Sequence, residues 1–348
     1  MLIAFRKSDQ IAQILDPTCG FKLTEQLIEH RRDPLTGDLS IVLPGRQNYV
    51  KHFFETDVQF LSDYAEETKK GCPFCLPSVL TSTPEFPTEL VSEGRIREGD
   101  AVTFPSLFAH IEYNAVTALT PNHLLKLDEF TPELLKNGIR ASLKYINKVH
   151  SRNPDVKYAA LVLNYLPPAG STVVHPHMQA LASSIPIQRL IELLDASLAY
   201  FGESRSNYWM DIIEIEKKTG ERYIAKTGSC HWLVPFSPKG FYEINGILPE
   251  KKNLLDLTED DVLSLADGLS RILRYYKDNG AWSFNVAIYS GPLGAKSEHF
   301  SVNLKIVARY GFRSKWVNDR WALPFLLNES EVFEAPEALT PIIRHYFL

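Results

Sequence analysis

The sequence predicts an α+β fold made of two similar halves, and two observations support this prediction. First, the order helix, strand, loop, strand occurs twice, starting near residue 131 and again near residue 258. Second, three residues of the first copy have an identical residue 124 positions later: Pro168 and Pro292, Gly170 and Gly294, His175 and His299. A shared offset of this kind indicates an ancient duplication. We therefore expect two related domains, residues 1–190 and 191–348.

The elements of the first copy follow from local signals. Thr131-Pro132-Glu133 starts a helix, because proline is favoured at the first helical position, and apolar residues at helical spacing continue it to about Val149. Tyr158–Tyr165 has the length and apolar character of a buried strand. A second strand is predicted over residues 173–182. Because Pro176 cannot donate a ladder hydrogen bond, we expect this strand to lie at a sheet edge or beside a bulge.

Composition and charge exclude several classes of function. The chain has 348 residues with 37 Lys plus Arg against 42 Asp plus Glu, so it lacks the basic excess that favours nucleic acid or an anionic membrane. Its apolar runs are shorter than the roughly 18 residues of a membrane span, and residues 1–8 do not resemble a secretion signal. Four cysteines are too few for a disulfide framework in a chain of this length. We expect a cytoplasmic protein.

The segment His175-Pro176-His177-Met178-Gln179 combines two imidazoles and an amide. Side chains of a strand alternate between its faces, so His175, His177 and Gln179 are predicted to share one face. Two neighbouring histidines can also be ordinary core or surface residues. The polar face nevertheless makes this segment a candidate ligand site.

The segment Cys72-Pro73-Phe74-Cys75 has the ligand spacing of a tetrahedral zinc site. A redox-active pair would normally precede a helix, which Pro77 argues against, and two free thiols are the remaining alternative. Zinc requires two further ligands. The candidates are His110, His123, His175 and His177, and the sequence positions alone do not choose among them.

Together, these segments resemble the galactose-1-phosphate uridylyltransferase branch of the histidine-triad superfamily. The HPHxQ signature of that branch is present at residues 175–179, and the CPFC pair at residues 72–75. The other matches are RRDPLTG at residues 31–37, Pro44-Gly45-Arg46, Pro121-Asn122-His123, Asn164 and Ala169-Gly170-Ser171-Thr172. They extend from Arg31 to about Ser184, and the predicted elements of the remainder fit a second, degenerate half.

The resemblance implies a fold and a set of site residues. The fold consists of two histidine-triad-like repeats, each an antiparallel sheet with a long helix, of which the second is degenerate. The implied roles are zinc binding by Cys72, Cys75, His123 and His175, nucleophilic attack by His177, and assistance by Gln179. The implied substrate-binding residues are Arg46, Asn164, Gly170, Ser171 and Thr172. A homodimer is also implied.

The implied activity is transfer of a nucleoside monophosphate between a nucleotide sugar, such as UDP-glucose, and a sugar 1-phosphate through a covalent nucleotidyl-histidine. Two alternatives stay open. A phosphorylase would use inorganic phosphate on ADP-glucose or a dinucleoside polyphosphate, and a non-catalytic, zinc-stabilised protein would only bind a nucleotide. Val102-Thr103 replaces the Asn-Asp pair that holds the nucleoside in the family, so the identity of the base stays open.

The second copy lacks the HPHxQ signature. With an offset of 124 residues, Ser301 is predicted at the position of His177 and Asn303 at that of Gln179. Such a copy cannot form a phosphohistidine. The sequence assigns no role to His299, Lys305 or Arg309.

Overall fold

The computed structural model describes residues 3–50, 55–314 and 318–348, and it confirms the predicted α+β fold. The strands are β1 (Arg6–Asp16), β2 (Lys22–Arg32), β3 (Leu39–Val42), β4 (Ile96–Glu98), β5 (Ala101–Pro105), β6 (Tyr113–Ala118), β7 (Tyr158–Tyr165), β8 (His177–Ser183), β9 (Tyr223–Thr227), β10 (Cys230–Leu233), β11 (Ile244–Leu248), β12 (Ser283–Tyr289), β13 (Val302–Arg309) and β14 (Ser330–Val332). The helices are α1 (Gln47–Val50), α2 (Val58–Lys69), α3 (Ser78–Thr81), α4 (Pro132–Arg152), α5 (Gln188–Ser204), α6 (Tyr208–Thr219), α7 (Glu259–Asp278), α8 (Ala322–Leu326) and α9 (Pro336–Arg344). Among the helices described, none combines the length and the apolar character that crossing a membrane requires.

The strands form a ten-stranded sheet with two similar halves. Its order is β4-β5-β6-β8-β7-β12-β13-β11-β10-β9, and every neighbouring pair is antiparallel. The central pair, β7 and β12, joins the halves. The order β4-β5-β6-β8-β7 is repeated in reverse by β12-β13-β11-β10-β9, as expected for two copies related by a two-fold axis.

Packing and register give the correspondence between the two copies residue by residue. The more buried residues have odd numbers in β7 and even numbers in β12. Corresponding residues of the two strands must therefore differ in number by an odd amount. Among odd offsets, 125 is the one that also aligns Asn303, whose side chain donates to the Ser301 carbonyl, with His177, whose Nδ1 atom donates to the His175 carbonyl. This offset places Val162 of β7 on its direct partner Ala287 of β12. The pseudo-two-fold axis therefore passes through the Val162–Ala287 pair.

The predicted uniform offset of 124 residues is therefore wrong. Residues of β12 are numbered 125 higher than their counterparts in β7. Given how β7 pairs with β8 and β12 pairs with β13, residues of β13 must then be numbered 126 higher than their counterparts in β8. His177 then corresponds to Asn303, and Gln179 to Lys305. Small differences in loop length change the offset from element to element, which a comparison of identical residues cannot detect.

The long helices α4 and α7 pack together on the buried face of this sheet. Thr131 caps α4 by accepting a hydrogen bond from the Leu134 amide, and Pro132 is its first residue, as predicted. The buried residues of α4 each have a buried counterpart 127 positions later in α7, for example Leu135 and Val262, Ile139 and Ala266, Ile146 and Leu273. The helices thus repeat the same apolar stripe.

Strand β8 differs from the prediction in its start and position. It begins at His177, immediately after Pro176, whereas residues 173–182 were predicted to be a strand. It is also an interior strand, paired with β6 and β7, so the expectation of a sheet edge is wrong. Because the strand starts after the proline, its ladder loses no donor.

A second sheet connects the two ends of the chain. Its order is β1-β2-β3-β14, and β14 is parallel to β3. Arg31 of β2 is buried and binds the carboxylates of Glu29 and of Glu337 in α9. The division at residue 190 stays a prediction, since this sheet contains strands from both sides of it.

Two helical glycines provide a test of how tightly the core is packed. A Cβ atom at Gly268 of α7 would overlap the indole of Trp232, which is buried, hydrogen-bonded to Thr227 and packed against Gly246. A Cβ atom at Gly202 of α5 would meet nothing within 4 Å. We expect Gly268→Ala to lower the free energy of unfolding by about 1–3 kcal/mol.

The matched variant Gly202→Ala should raise the free energy of unfolding by about 0.5–1 kcal/mol, because alanine loses less backbone entropy in a helix. Urea denaturation followed by circular dichroism measures both. Equal stabilisation by the two substitutions would contradict the packing of Trp232 described above.

Candidate functional site

Four side chains from three loops meet at one end of the first half. Cys72 and Cys75 lie between α2 and α3, His123 follows β6, and His175 precedes β8. One ligand atom from each residue lies within 4.8 Å of the others. Within the described part of the chain, this is the group of His, Cys, Asp and Glu residues whose geometry suits a metal ion.

The donor set fits a tetrahedral metal. The Nδ1 atom of His175 is 3.8 Å from the Cys72 sulfur and 3.4 Å from the Cys75 sulfur, and the Nδ1 atom of His123 is also 3.4 Å from the Cys75 sulfur. A zinc ion with bonds of about 2.3 Å to sulfur and 2.0 Å to nitrogen separates these atoms by about 3.6 Å. The four residues can therefore hold such an ion.

Hydrogen bonds outside the cluster orient both imidazoles for this role. The Nε2 atom of His175 donates to the Thr120 carbonyl at 2.7 Å, which leaves Nδ1 as the unprotonated atom. The Nε2 atom of His123 lies 3.2 Å from the Thr68 hydroxyl, which itself donates to the Tyr64 carbonyl. Partners of this kind fix the tautomer and the ring orientation of metal-binding histidines.

Burial shifts the pKa values of the ionisable groups in the cluster. Burial lowers the pKa of His175 to about 4 and lowers that of His123, so both rings are neutral at pH 7. Burial, followed by the adjacent Cys72, raises the pKa of Cys75 to about 11. A bound cation reverses this effect on the thiols, because it stabilises the thiolate.

His177 lies directly beside the cluster but is oriented differently. Its Nδ1 atom donates to the carbonyl of His175 at 2.8 Å, so Nε2 is the atom with a free lone pair. Burial lowers the pKa of His177, which keeps the ring neutral at pH 7. A neutral imidazole with an oriented lone pair can act as a nucleophile.

Phe74 connects the cysteine pair to both histidines. Its ring packs edge-on against His175 and His177, with centroid distances of 6.1 and 5.2 Å. It also contacts Phe104 in a tilted arrangement, with a centroid distance of 5.3 Å. Phe74, which lies between the two cysteines, therefore forms part of the wall around His177. The spacing of the cysteines identifies the metal ligands, but it does not indicate this contact.

The turn between β7 and β8 contains polar groups and leads into the segment that carries His177. Gly170 has a φ of +83°, a conformation that favours glycine, and it is exposed. The buried Ser171 hydroxyl donates to the Val173 carbonyl at 2.6 Å, and Thr172 is exposed. Asn164 is the residue after Leu163, which pairs with Met178, so Asn164 and His177 are neighbours on the same face of the sheet.

Two other predicted site residues have different surroundings. The Oε1 atom of Gln179, on the same face of β8 as His177, lies 3.4 Å from the Asn114 amide nitrogen. Arg46 follows β3, and its guanidinium donates to Gln26 of β2 at 2.6 Å. Arg46 is thus bonded to the smaller sheet in this chain, and its role in substrate binding stays a prediction.

The second half retains the framework of the site without its chemistry. The Asn303 side chain donates to the Ser301 carbonyl at 3.0 Å, as His177 does to His175, and the Ser301 hydroxyl donates to the Pro249 carbonyl, as His175 does to Thr120. These bonds are the evidence that His177 corresponds to Asn303. Helix α6 covers this copy, with Trp209 packed on Phe300.

The structure also shows the contacts of His299, Lys305 and Arg309, to which the sequence assigns no role. His299 packs against Phe201. Lys305 forms an ion pair with the buried Glu243 at 2.9 Å, and Arg309 pairs with Asp319 and donates to Asn285 at 2.7 Å. Lys305 and Arg309 are therefore neutralised by partners within the chain.

Comparisons with known proteins identify similar chains. An uncharacterized protein of Archaeoglobus fulgidus is 32% identical over 346 residues, which is 98% of each chain. A galT-like protein and an ADP-glucose phosphorylase with bound ADP-glucose, both from Arabidopsis thaliana, superimpose with a TM-score of 0.69 and 18% identity; the matches cover 90% and 91% of this chain and 98% of each plant protein. A uridylyltransferase mutant gives a TM-score of 0.65, with 17% identity over 91% of this chain and 98% of that chain. No protein-family model matches.

These similarities confirm, at the level of the fold, the predicted resemblance to the galactose-1-phosphate uridylyltransferase family.

The cluster predicts the metal content of the purified protein. We expect about one transition-metal ion per chain, and Cys75→Ser should lower retention at least tenfold, because it removes the sulfur closest to both imidazoles. Mass spectrometry of the metals in dialysed protein measures this. Cys19→Ser, which changes an exposed cysteine on the hairpin between β1 and β2, is the control and should retain the metal. Equal metal content in the two variants would contradict the ligand assignment.

Proposed function

Because the chain belongs to the same family as the Archaeoglobus fulgidus protein and has the fold of galactose-1-phosphate uridylyltransferase-like proteins, we propose that it is a nucleotidyltransferase. It would transfer a nucleoside monophosphate between a nucleotide sugar and a sugar 1-phosphate. The observation that carries this proposal is the orientation of His177, whose Nδ1 atom is tied to the His175 carbonyl and whose Nε2 atom is unprotonated.

In this proposal the reaction has two steps. The Nε2 lone pair of His177 attacks the α-phosphorus, and the bond to the bridging oxygen breaks, so that sugar 1-phosphate leaves with the electron pair. A phosphate oxygen of the acceptor then attacks the same phosphorus and releases His177. Each step replaces one bond to phosphorus by another, and the ring keeps its Nδ1 proton throughout.

The surrounding donors would stabilise the transition state. Charge spreads over the phosphoryl oxygens during transfer, so catalysis depends on donors already in position. Asn164 is adjacent to His177 on the sheet, and the amide of Gln179 lies on the same strand. Gly170, Ser171 and Thr172 form the turn that the resemblance assigns to phosphate binding, and the exposed position of Gly170 permits a close approach of the backbone.

The metal that we propose for the cluster is zinc. Two cysteines and two histidines form a complete tetrahedral set, which is typical of structural zinc sites. Bound zinc would supply folding stability to the segment that carries His175. Cys72, Cys75, His123 and His175 would hold it, and the carbonyl of the anchored His175 then fixes the His177 ring.

The partners in this proposal are a nucleotide sugar, a sugar phosphate and a second copy of the chain. If inorganic phosphate is the acceptor of the nucleotidyl group instead, the protein is a phosphorylase with the same first step. Because an ADP-glucose phosphorylase has the same fold, ADP-glucose should be tested as a substrate alongside UDP-glucose. We place the protein in the cytoplasm.

The first step can be tested by covalent labelling. Incubation with UDP-glucose or ADP-glucose labelled at the α-phosphate should give a base-stable, acid-labile label on the protein. His177→Gly should lower the rate of labelling more than about 10³-fold, since it removes the nucleophile, and should retain the metal. His345→Gly, which changes an exposed histidine near the C-terminus, is the control and should label normally.

Addition of glucose 1-phosphate, galactose 1-phosphate or inorganic phosphate to the labelled protein then identifies the acceptor. Glucose 1-phosphate reverses the first step for either enzyme and shows that the label is competent. Release of a labelled nucleotide sugar by galactose 1-phosphate supports the transferase, and release of a labelled nucleoside diphosphate by inorganic phosphate supports the phosphorylase. If no nucleotide sugar labels the wild-type protein while one binds, the chain is a nucleotide-binding protein without turnover.

A further inference from the structure

The hairpin formed by β1 and β2 extends well beyond the sheet that anchors it. The two strands pair over eleven consecutive residues without a bulge, a length of about 36 Å. Strand β3 pairs only with the base of β2, from Glu29 to Arg32. In the described part of the chain, β1 has no strand on its other side. Its outer edge therefore presents unpaired amides and carbonyls.

One face of this hairpin is apolar and exposed. Ile11 pairs with Leu27 and Leu15 with Leu23, so these four side chains share a face, and they are 54%, 37%, 63% and 63% exposed. Soluble proteins usually protect a long edge strand with proline, a bulge, a covering segment or charged side chains. Strand β1 has no proline and no bulge, and its charged residues lie toward its ends: Arg6, Lys7 and Asp9 at the start and Asp16 at the end.

We propose that β1 pairs antiparallel with β1 of a second copy. A two-fold symmetric pair that uses all eleven residues must be centred on Ile11, and this register places Arg6 opposite Asp16 twice. The two smaller sheets then form one eight-stranded sheet, with Ile11 of both copies at its centre. The opposite charges of Arg6 and Asp16, at the two ends of β1, favour a second copy of β1 over an unrelated strand as the pairing partner.

Single cysteines test both the dimer and its register. In a Cys19→Ser background, Ile11→Cys should form a covalent dimer on mild oxidation, because the two positions face each other. The control Gln13→Cys should not, since its counterpart lies about four strand positions away, beyond disulfide reach. Sedimentation of the unmodified protein should give twice the mass of the chain, as for any dimer, so the contrast between the two cysteine variants is the test of this interface. A single-chain mass, no cross-link through Ile11→Cys, or equal cross-linking at both positions would overturn the proposal.

A second inference concerns Asn285, and it rests on the proposed function. Asn285 belongs to the degenerate half and faces Asn164 across the β7–β12 pair. Its amide nitrogen donates to the Asn164 side-chain oxygen at 2.6 Å and to the Ala169 carbonyl at 2.8 Å, and its oxygen accepts from Arg309 at 2.7 Å. A carbonyl can only accept and a guanidinium only donate, so the orientation of Asn285 is fixed at both ends.

This arrangement determines which end of Asn164 is available to a substrate. Its oxygen is engaged by Asn285, so its amide nitrogen, a donor, is directed to other partners. Because Asn164 is adjacent to His177 on the sheet, we infer that Asn285 is a positioning residue that presents the Asn164 donor to the phosphate. The degenerate half would thus orient a group in the site of the other half.

A double-mutant cycle tests this role. Asn285→Asp replaces the donor with an acceptor, which favours a flipped Asn164 amide, and it should slow single-turnover labelling of His177 by about tenfold or more. In an Asn164→Ala background the same substitution should have almost no further effect. A merely structural role for Asn285 would give equal losses in both backgrounds, and that result would overturn the inference. Absence of labelling in the wild type would instead contradict the proposed function.

Discussion

The site depends on the position of a single buried residue, His175. Its ring contacts the two cysteine sulfurs through Nδ1 and the Thr120 carbonyl through Nε2, while its own carbonyl holds the ring of His177. These contacts engage both ring nitrogens and the backbone of one residue. Any displacement of His175 therefore changes the metal cluster and the orientation of His177 together, which explains why the two histidines stand two residues apart.

The duplication has produced two halves with different tasks. Both retain the helix, the strand pair and the bond from the residue at the His177 position to the carbonyl two residues earlier. In the second half, asparagine and serine make these bonds, and helix α6 covers the surface. The geometry of the framework thus does not require histidine. Histidine is needed where a metal ligand and a nucleophile are used, and the central β7–β12 pair allows the second half to contact the first site.

Much of this architecture could be predicted from the sequence, because its signals are local. Pro132 marks the start of α4, the apolar run 158–165 coincides with β7, and the cysteine spacing identifies half of the metal cluster. The correspondence between the halves could not be predicted. It depends on which face of each strand is buried, and a shift of one residue reverses the faces. The contacts of Phe74 and Asn285 also depend on partners distant in sequence. The β1–β2 hairpin was not predicted, although Asp16-Pro17 and Gly20 are typical turn residues.

The tautomer of His177 tests the central claim most directly. Nitrogen-15 NMR of protein labelled in its imidazole rings distinguishes a protonated from an unprotonated ring nitrogen, and the His177→Gln variant assigns the signals. At pH 7 our account predicts a neutral ring with the proton on Nδ1 and none on Nε2. A proton on Nε2, in either the other tautomer or an imidazolium, would contradict it.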